Sequence, residues 1–460
     1  MLPSALFRSL SAAPKALLVL LLATGLACSG VAEPSIPAGD TAFSPPTPAL
    51  KRQMLRQVNK CLKKRAFVYG VDFGRWPEIV EGYRGDIDAS TTDDELAAGF
   101  NRALAEFGVS HLKVTTPGEE ASKKDGRTIG AGIKVVPVAE GQLVALVLPE
   151  SPAAQAGMVK GDLVTHVDGV PVGGGEDFPG LIDYRLQGAP GLTKVLRWQR
   201  EGAEGPATFE ETIGYAAHPV GLPTTLEWKT VPPPAPESEA SEIAWLTLNS
   251  FREEVYDRQQ VAELFSQIRS RADGLVIDLR GNSGGLFNNV VHLASFLVPA
   301  GEVGGVVTER KDYQRRHKAL QQDGLSTEER IQALGDPFKI GWKNVDETYD
   351  GPLVVLIDGA SGSGGDLFPA IVDGARDAVL VGSTTHGALL GGVSCGLAGG
   401  FDLTVPIQEI LGPKGERIEG VGTPPDVELT PRQTVDDAGI EEVALGIFGV
   451  QFQQSVALGV

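Results

Sequence analysis

The sequence predicts an α/β fold whose core consists of βαβ units with a mixed sheet, joined to an inserted β-rich domain and an N-terminal helical segment. From Ile243 onward, apolar runs of strand length alternate with helical stretches, which is typical of a mostly parallel sheet covered by helices. Residues 128–215 hold a separate glycine loop and further glycine turns, which indicate a small β-rich module. Two earlier stretches, 49–67 and 93–107, place apolar residues at helical spacing.

The core elements are predicted from continuous apolar runs for strands and from helical spacing of apolar residues for helices. In chain order they are the strand 243–248, a helix from about 254 to 269, the strand 274–279, the helix 286–297, the strand Leu353–Ile357, the helix 366–375, and the strands Ala378–Gly382 and 401–405. A strand is also expected at 109–114. Residues 219–241, with three consecutive prolines, are predicted to be a linker or an extended arm, and 311–347 a polar, helix-prone excursion.

The turn at 360–365 joins a buried strand to the start of a helix and is the first candidate for chemistry. A hydroxyl on such a turn projects from the sheet edge, and the helix N-terminus offers unpaired N–H groups to a developing oxyanion. Ser361 and Ser363 are both candidate nucleophiles. Ser363 lies closer to the helix and precedes two glycines, which let a substrate approach the backbone. A flexible Ser/Gly loop without chemistry explains this pattern equally well.

The sequence of this turn, GASGSGGDLFP, resembles the nucleophile segment of the tail-specific (C-terminal processing) serine peptidases of S41 type, and more narrowly of their tricorn-protease-like branch. The resemblance implies a ClpP/crotonase-like core with Ser363 as the nucleophile. The tail-specific enzymes carry a catalytic lysine in a Thr-Phe-Gly-Lys segment after the second strand. The matching segment here is Thr385-His386-Gly387-Ala388, so Ala388 stands at the lysine position and a Ser-Lys dyad is not expected.

Two further segments resemble the tricorn-like branch and complete the expected catalytic set. The segment EFGVSHLKV contains His111, which the resemblance implies is the general base. The segment 417–426 resembles the closing motif of the family, which implies that Glu419 belongs to the catalytic residues. His386 is closer to Ser363 in sequence and is the second candidate for the base. Without the resemblance, a half-exposed loop histidine and a surface carboxylate are the simpler interpretations.

A second turn between a strand and a helix has the sequence DLRGNSGG and ends at Gly285. In the family this turn supplies one backbone N–H to the oxyanion hole, and the residue after the nucleophile supplies the other. The resemblance therefore implies Gly284 or Gly285, together with Gly364. A dinucleotide-binding loop is the rival interpretation, but the Gly-x-Gly-x-x-Gly pattern is absent from this turn.

The β-rich module resembles a PDZ domain. Ile129, Gly130, Ala131 and Gly132 resemble its carboxylate-binding loop, and the segments 151–157, 161–164 and 167–169 match the more distinctive part of the pattern. The resemblance implies that backbone N–H groups of this loop receive a peptide C-terminus, while a strand edge binds the peptide by β-addition. A scaffold domain that binds no peptide is the alternative.

Charge and cysteine content limit the partners of the protein. The 460 residues include 40 basic and 59 acidic side chains, a net charge of −19, which argues against nucleic acid or an anionic membrane surface as the main partner. No Cys-x-x-Cys or Cys/His spacing is present, so neither a metal nor another cofactor is expected. Cys61 and Cys395 are able to pair in an exported chain, but their spacing gives no indication that they do.

The N-terminus predicts export. Arg8 and Lys15 precede the apolar run 16–23, which is too short to span a bilayer. The four residues that end at Cys28 resemble a bacterial lipobox, so a lipid anchor at Cys28 on a periplasmic or outer-surface protein is expected. Cleavage and secretion without lipid is the alternative. A membrane contact is expected only through that anchor.

These observations divide the chain into six expected segments. They are a signal peptide at 1–27, a disordered tether at 28–48, an N-terminal helical region at 49–127, a PDZ-like domain at 128–215, a peptidase-like core at 216–435, and a C-terminal helix and tail at 436–460.

The expected function is that of an exported serine endopeptidase. Ser363 attacks, His111 transfers the proton, and Glu419 supports the imidazolium, while the substrate is a protein whose flexible C-terminus docks on the PDZ-like domain. One alternative is a catalytically inactive protein of the same fold that binds peptides through the PDZ-like domain. A second alternative is a carrier of small apolar ligands, which would show a deep closed cavity.

Overall fold

The computed structural model of the protein describes residues 45–124, 126–172, 186, 191–233, 239–300, 304–310, 338–341 and 347–458. The predicted signal peptide, the lipidation site at Cys28 and nearly all of the tether lie outside these residues. The predicted excursion at 311–347 also lies outside them, except for 338–341 and 347.

The helices in chain order are α1 (Pro48–Arg65), α2 (Trp76–Gly82), α3 (Arg84–Ala89), α4 (Asp93–Ala105), α5 (Pro117–Lys124), α6 (Pro152–Gln155), α7 (Arg258–Arg271), α8 (Phe287–Ser295), α9 (Gly364–Ala375), α10 (Pro431–Val435) and α11 (Asp437–Leu458). The strands are β1 (Lys113–Thr115), β2 (Arg127–Gly130), β3 (Ile133–Val138), β4 (Gly141–Val147), β5 (Leu163–Val167), β6 (Val170–Pro171), β7 (Thr193–Arg200), β8 (Ala207–Gly214), β9 (Ala216–Pro219), β10 (Thr225–Val231), β11 (Ser241–Thr247), β12 (Gly274–Asp278), β13 (Gly305–Glu309), β14 (Phe338–Ile340), β15 (Leu353–Ile357), β16 (Ala378–Gly382), β17 (Leu390–Gly396), β18 (Asp402–Leu411) and β19 (Val427–Glu428).

The core sheet has the spatial order β10-β11-β12-β15-β16-β19. All neighbouring pairs in it are parallel except β10 with β11, so the predicted α/β fold with a mixed sheet is confirmed. The edge strand β10 lies inside the segment predicted to be a linker or an extended arm, and the linker interpretation was wrong because these residues pair with β11. Leu226 and Trp228 alternate with charged residues and pack against the core, but the prolines that follow at 232–234 obscure this short period-two pattern.

Helices cover the core sheet on both faces. Leu353, Val355 and Ile357 of β15 pack in one cluster with α7, α8 and α9, whereas Val354 and Leu356 pack in another with α11. A strand buried on both faces must be apolar at every position, which explains the continuous apolar run from which β15 was predicted. The sheet therefore holds the turn at 360–365 on a rigid, fully buried strand.

A second, antiparallel sheet contains β1, β13, β14, β17 and β18 and carries the N-terminal helices on one side. Helix α4 begins with a capping box between Thr92 and Glu95. The strand expected at 109–114 is reduced to the three residues of β1. Gly108 and His111 both have positive φ angles, of 63° and 54°, which interrupt the extended backbone before Lys113.

The strands β3 to β8 form a sheet of their own, with β6 paired to β5, and none of these strands joins the core sheet. The neighbouring strands β2 and β9 pair with each other and connect this module to the flanking chain. Its small apolar core includes Val144, Val164 and Trp198. Within the described part of the chain, no helix has both the length and the apolar composition that crossing a bilayer requires.

A disulfide joins Cys61 of α1 to Cys395 of β17, so the two cysteines that the sequence left undecided are paired. Beside it in β17, Gly391 to Ser394 line a cavity near Ser363. The bridge therefore ties the N-terminal helices to a strand at the edge of that cavity.

Replacing both cysteines with alanine is expected to lower the free energy of unfolding by about 2–4 kcal/mol, because the bridge restricts the unfolded chain. Urea unfolding with and without dithiothreitol measures the effect. Dithiothreitol should shift the wild type to the midpoint of the double variant and leave the variant unchanged. Equal midpoints for oxidised wild type and variant would contradict a stabilising bridge.

Candidate active site

Ser363 lies on the turn between β15 and α9, directly before the first helical residue, Gly364. Its backbone has φ 56° and ψ −110°, a conformation that a non-glycine residue adopts only where the surroundings impose it. Ser363 lines two adjoining cavities. Ser361, the other candidate nucleophile, is fully buried, with its Oγ 2.8 Å from the carbonyl oxygen of Leu279 and 2.9 Å from a carboxylate oxygen of Asp358. Only Ser363 of the two faces open space.

The buried carboxylate of Asp366 holds the nucleophile turn to a second loop. It accepts hydrogen bonds from the N–H of Ser363 at 2.7 Å and from the hydroxyl of Thr385 at 2.5 Å. It also accepts from the N–H groups of Gly387 and Ala388, at 2.8 and 2.9 Å. Burial raises the pKa of Asp366, and the donors from Thr385, Gly387 and Ala388 act in the opposite direction. These hydrogen bonds fix the loop at 385–388 beside Ser363. Ala388 in this loop stands where the tail-specific enzymes carry their lysine.

Glu419 and His111 are joined through Ser110. The carboxylate of Glu419 accepts from the N–H of Ser110 at 2.7 Å, from its hydroxyl at 2.8 Å and from the N–H of Leu389 at 2.8 Å. Ser110 Oγ in turn lies 2.7 Å from Nδ1 of His111. When Glu419 is ionised it only accepts, so the hydroxyl donates to it and receives the Nδ1–H of His111. This arrangement leaves Nε2 of His111 as the proton acceptor.

The surroundings of the imidazole favour its neutral form. Burial lowers the pKa of His111 to about 4, and the neighbouring His386 lowers it as well. Burial also raises the pKa of Glu419, which the hydrogen bonds from Ser110 and Leu389 oppose. At neutral pH, His111 is therefore available as a base.

His111 and Ser363 line the same two cavities, although they come from different sheets. Among the described residues, no hydrogen bond joins the two side chains. His386 lines one of these cavities too, with its Nδ1 3.2 Å from the carbonyl oxygen of Gly359. The structure thus brings together Ser363, His111, Glu419 and the competing His386.

The backbone N–H groups expected at the oxyanion hole differ in their availability. The N–H of Gly284 donates to the side chain of Asn282 at 2.9 Å, whereas those of Gly285 and Gly364 have no acceptor among the described residues. Gly284 lies so close to the candidate nucleophile that a Cβ placed on it would lie 2.6 Å from the Cβ of Ser363. The sequence left open whether Gly284 or Gly285 contributes to the oxyanion hole. Of the two, only Gly285 has a backbone N–H without an acceptor among the described residues.

The cavity on one side of Ser363 is mainly apolar and has a volume of about 640 Å³. Its apolar side chains include Val290, Val307, Ile340, Leu367, Leu389 and Ile410. The cavity on the other side, which we call the catalytic cavity, has about 650 Å³ and extends from Ser363 and His111 to the loop at 129–132. The candidate peptide-binding loop and the candidate nucleophile therefore open into one space.

Ser110 is the residue that the sequence analysis missed. It precedes His111 in the segment that was singled out, but a serine next to a histidine has no pattern that distinguishes it from a loop residue. Its role depends on Glu419, which is distant in sequence.

Among the described residues, no group of three or more His, Cys, Asp or Glu side chains is arranged to hold a metal.

Replacing Asp366 with Asn is expected to lower the free energy of unfolding by about 2–4 kcal/mol, because the amide NH₂ would face backbone donors in a buried site. The matched control is Asp373→Asn on the same helix, where an exposed carboxylate pairs with Lys414 and the expected change is below about 0.5 kcal/mol. Urea unfolding of both variants tests this. Equal losses in the two would show that Asp366 is not a structural anchor.

The chain matches known proteins in sequence. Residues 242–429 match the model of peptidase family S41, and residues 143–200 match a PDZ domain. The chain is 26% identical to the C-terminal processing peptidase, chloroplastic, of Tetradesmus obliquus, over 62% of this chain and 55% of that protein. It is 25% identical to the carboxy-terminal-processing protease of Bartonella bacilliformis, over 65% and 60% of the two chains. The chain thus spans little more than half the length of these two relatives.

Solved structures show the same fold. The photosystem II D1 C-terminal processing protease aligns with a TM-score of 0.51 and 20% identity over 83% of this chain and 94% of that one. Mature CPAF aligns with a TM-score of 0.58 and 15% identity over 88% and 98%. The matched segments and the shared fold confirm the resemblance described from the sequence motifs: residues 242–429 are similar to peptidase family S41, and residues 143–200 to a PDZ domain.

Proposed function

We propose that the protein is a serine peptidase in which Ser363 is the nucleophile, His111 the general base and Glu419 the group that supports the base through Ser110. One observation carries this proposal. Ser363 lies on a strained turn at a helix N-terminus and lines the same two cavities as a histidine whose imidazole is held neutral. Both cavities also contain Gly285, whose N–H is free among the described residues.

In the proposed reaction, Nε2 of His111 takes the proton of Ser363 as Oγ attacks the substrate carbonyl. The N–H groups of Gly364 and Gly285 then stabilise the oxyanion. His111 returns the proton to the leaving amine, and water later releases the acyl group by the same route. Because no hydrogen bond joins His111 to Ser363 in the described structure, substrate binding has to tighten this contact, as is common for catalytic pairs.

The proposed substrate is a polypeptide with a flexible C-terminus that binds the loop at Ile129–Gly132. This loop opens into the catalytic cavity, and it belongs to the segment that resembles a PDZ carboxylate-binding loop. We also propose that the protein acts outside the cytosol, carried there by the signal predicted at 1–27 and anchored through Cys28. The disulfide between Cys61 and Cys395 supports an oxidising compartment.

A peptide-binding protein without catalysis is the second candidate. It is favoured by Ala388 at the lysine position and by the missing hydrogen bond between His111 and Ser363. The neutral imidazole and its connection to Glu419 favour the enzyme, since a pure binding domain does not require them.

Peptide cleavage by purified variants is the direct test of the proposed residues. Ser363→Ala and His111→Ala should each lower kcat by more than about 10³-fold, because each removes a group that acts in the chemical step. Ser110→Ala should have a smaller effect, about 10- to 100-fold, because it leaves the base in place but removes its support. Full activity of His111→Ala would reject this base in favour of His386. A wild type without activity toward any unstructured C-terminus would favour the binding protein.

The pH dependence of kcat/KM tests the environment of His111. Protonation removes the base, and burial lowers the pKa to about 4, so activity should stay level from pH 7 to about 5 and fall to half near 4. An unperturbed histidine would instead give a midpoint near 6.5. His386→Ala should move the midpoint upward, because His386 lowers the pKa of His111. Circular dichroism at each pH distinguishes protonation of His111 from acid unfolding of the protein.

A further inference from the structure

His386 has a ring held in place on one side and a free nitrogen on the other. Its backbone N–H donates to the carbonyl oxygen of Ser361 at 2.7 Å, and its Nδ1 lies 3.2 Å from the carbonyl oxygen of Gly359. A carbonyl oxygen only accepts, so a neutral ring carries its proton on Nδ1 and has Nε2 as an acceptor. Among the described residues, Nε2 has no hydrogen-bond partner. The half-buried ring therefore offers one unused acceptor.

This ring lies directly beside the candidate nucleophile. A Cβ placed on Gly362, the residue before Ser363, would lie 3.4 Å from the Cβ of His386. Both Gly362 and His386 line the catalytic cavity together with Ser363. His386 also lines a further cavity of about 660 Å³, but Ser363 and His111 do not. A substrate residue bound next to the nucleophile thus meets the ring from the catalytic cavity.

The charged side chains that line this cavity already have partners. Lys113 and Glu119 form an ion pair, and Arg252 pairs with a neighbouring glutamate. Nζ of Lys134 lies 2.6 Å from a backbone carbonyl oxygen. Nε2 of His386 is therefore available to a substrate beside the nucleophile, where these charges are engaged elsewhere.

The surroundings of this acceptor suit a short side chain that donates a hydrogen bond. Ala360, Gly362 and Ala388 line the cavity with small apolar groups. In the proposed function the C-terminal end of the substrate lies toward the loop at 129–132, so the first residue after the scissile bond enters this cavity. An apolar side chain there would displace water from Nε2 without replacing its hydrogen bond, which costs free energy. A hydroxyl on the Cβ of that residue would restore the hydrogen bond.

We infer that Nε2 of His386 accepts a hydrogen bond from the side chain of the first residue after the scissile bond, so that serine or threonine is preferred there. This inference rests on the proposed peptidase function and adds to it a specificity-determining residue and a class of cleavage site. His386 stands where the tail-specific enzymes carry a phenylalanine, which has no acceptor, so the preference is a property of this chain.

The test is a competition between two peptides of one sequence that the wild type cleaves, with threonine or valine directly after the cleaved bond. These two side chains have nearly the same shape, but only threonine donates a hydrogen bond. Mass spectrometry of the mixture at pH 8, where an imidazole is neutral, identifies the cleaved bond and gives the ratio of the two kcat/KM values. The wild type should favour threonine about 3- to 10-fold, as expected for one neutral hydrogen bond.

Two substitutions of His386 and one control show whether this residue is the cause. His386→Phe keeps a ring but removes the acceptor, so the ratio should fall to about 1. His386→Gln should keep part of the preference, because its amide oxygen is also an acceptor. His218→Phe is the matched control and should keep the full ratio. His218 lines the same cavity and has its Nδ1 2.9 Å from the carbonyl oxygen of Pro219, but its Nε2 lies at the loop, 3.8 Å from a Cβ placed on Gly130.

A wild-type ratio near 1, or a ratio that His386→Phe leaves unchanged, would overturn the inference. In the second case, His386 would act only through His111 or on the substrate backbone. Fluorescence anisotropy in the Ser363→Ala background measures the same preference as binding for variants that no longer cleave, with threonine replacing valine at each peptide position in turn. Stronger binding of threonine at one position that requires His386, in a wild type that cleaves nothing, would reject the peptidase but support this site.

Discussion

The candidate site depends on one buried carboxylate. Asp366 accepts hydrogen bonds from the candidate nucleophile Ser363 and from three residues of the loop at 385–388, so it fixes both segments with a single side chain. Thr423 adds a third segment to this arrangement, because its hydroxyl donates to the carbonyl oxygen of Asp366 and its N–H donates to Thr385 Oγ1. A buried carboxylate is costly unless its donors are in place, and this requirement makes the turn at Ser363 rigid.

Burial of charge has different consequences for two members of the proposed triad, His111 and Glu419. His111 lies where burial penalises the imidazolium, so it rests as a neutral base. Glu419 is buried as well, but three donors surround it, and one of them is the hydroxyl that contacts Nδ1 of His111. In the proposed reaction, the positive charge that forms on His111 during attack is stabilised through Ser110, while the resting imidazole stays uncharged. The loop that carries a lysine in the tail-specific enzymes has Ala388 here and supplies only backbone donors to Asp366.

Local patterns predicted the parts of the fold that depend on neighbouring residues. The apolar run at Leu353–Ile357 and the glycine turn after it both follow from short segments, and the structure has each of them. The edge strand β10 was missed, because its identity depends on pairing with β11 rather than on its own sequence. The engagement of the Gly284 N–H by Asn282, the place of Ser110 between Glu419 and His111, and the pairing of Cys61 with Cys395 also require tertiary contacts. Motif resemblance selected Ser363 over Ser361, and burial of Ser361 explains that choice physically.

The central claim is that His111 activates Ser363 as a nucleophile, and covalent labelling by a fluorophosphonate tests it most directly. The account predicts a single adduct located on Ser363 by peptide mapping, formed rapidly by the wild type and at least about 10²-fold more slowly by His111→Ala, because an unactivated serine reacts poorly. Folded, unlabelled wild-type protein, or an equal labelling rate in His111→Ala, would contradict it.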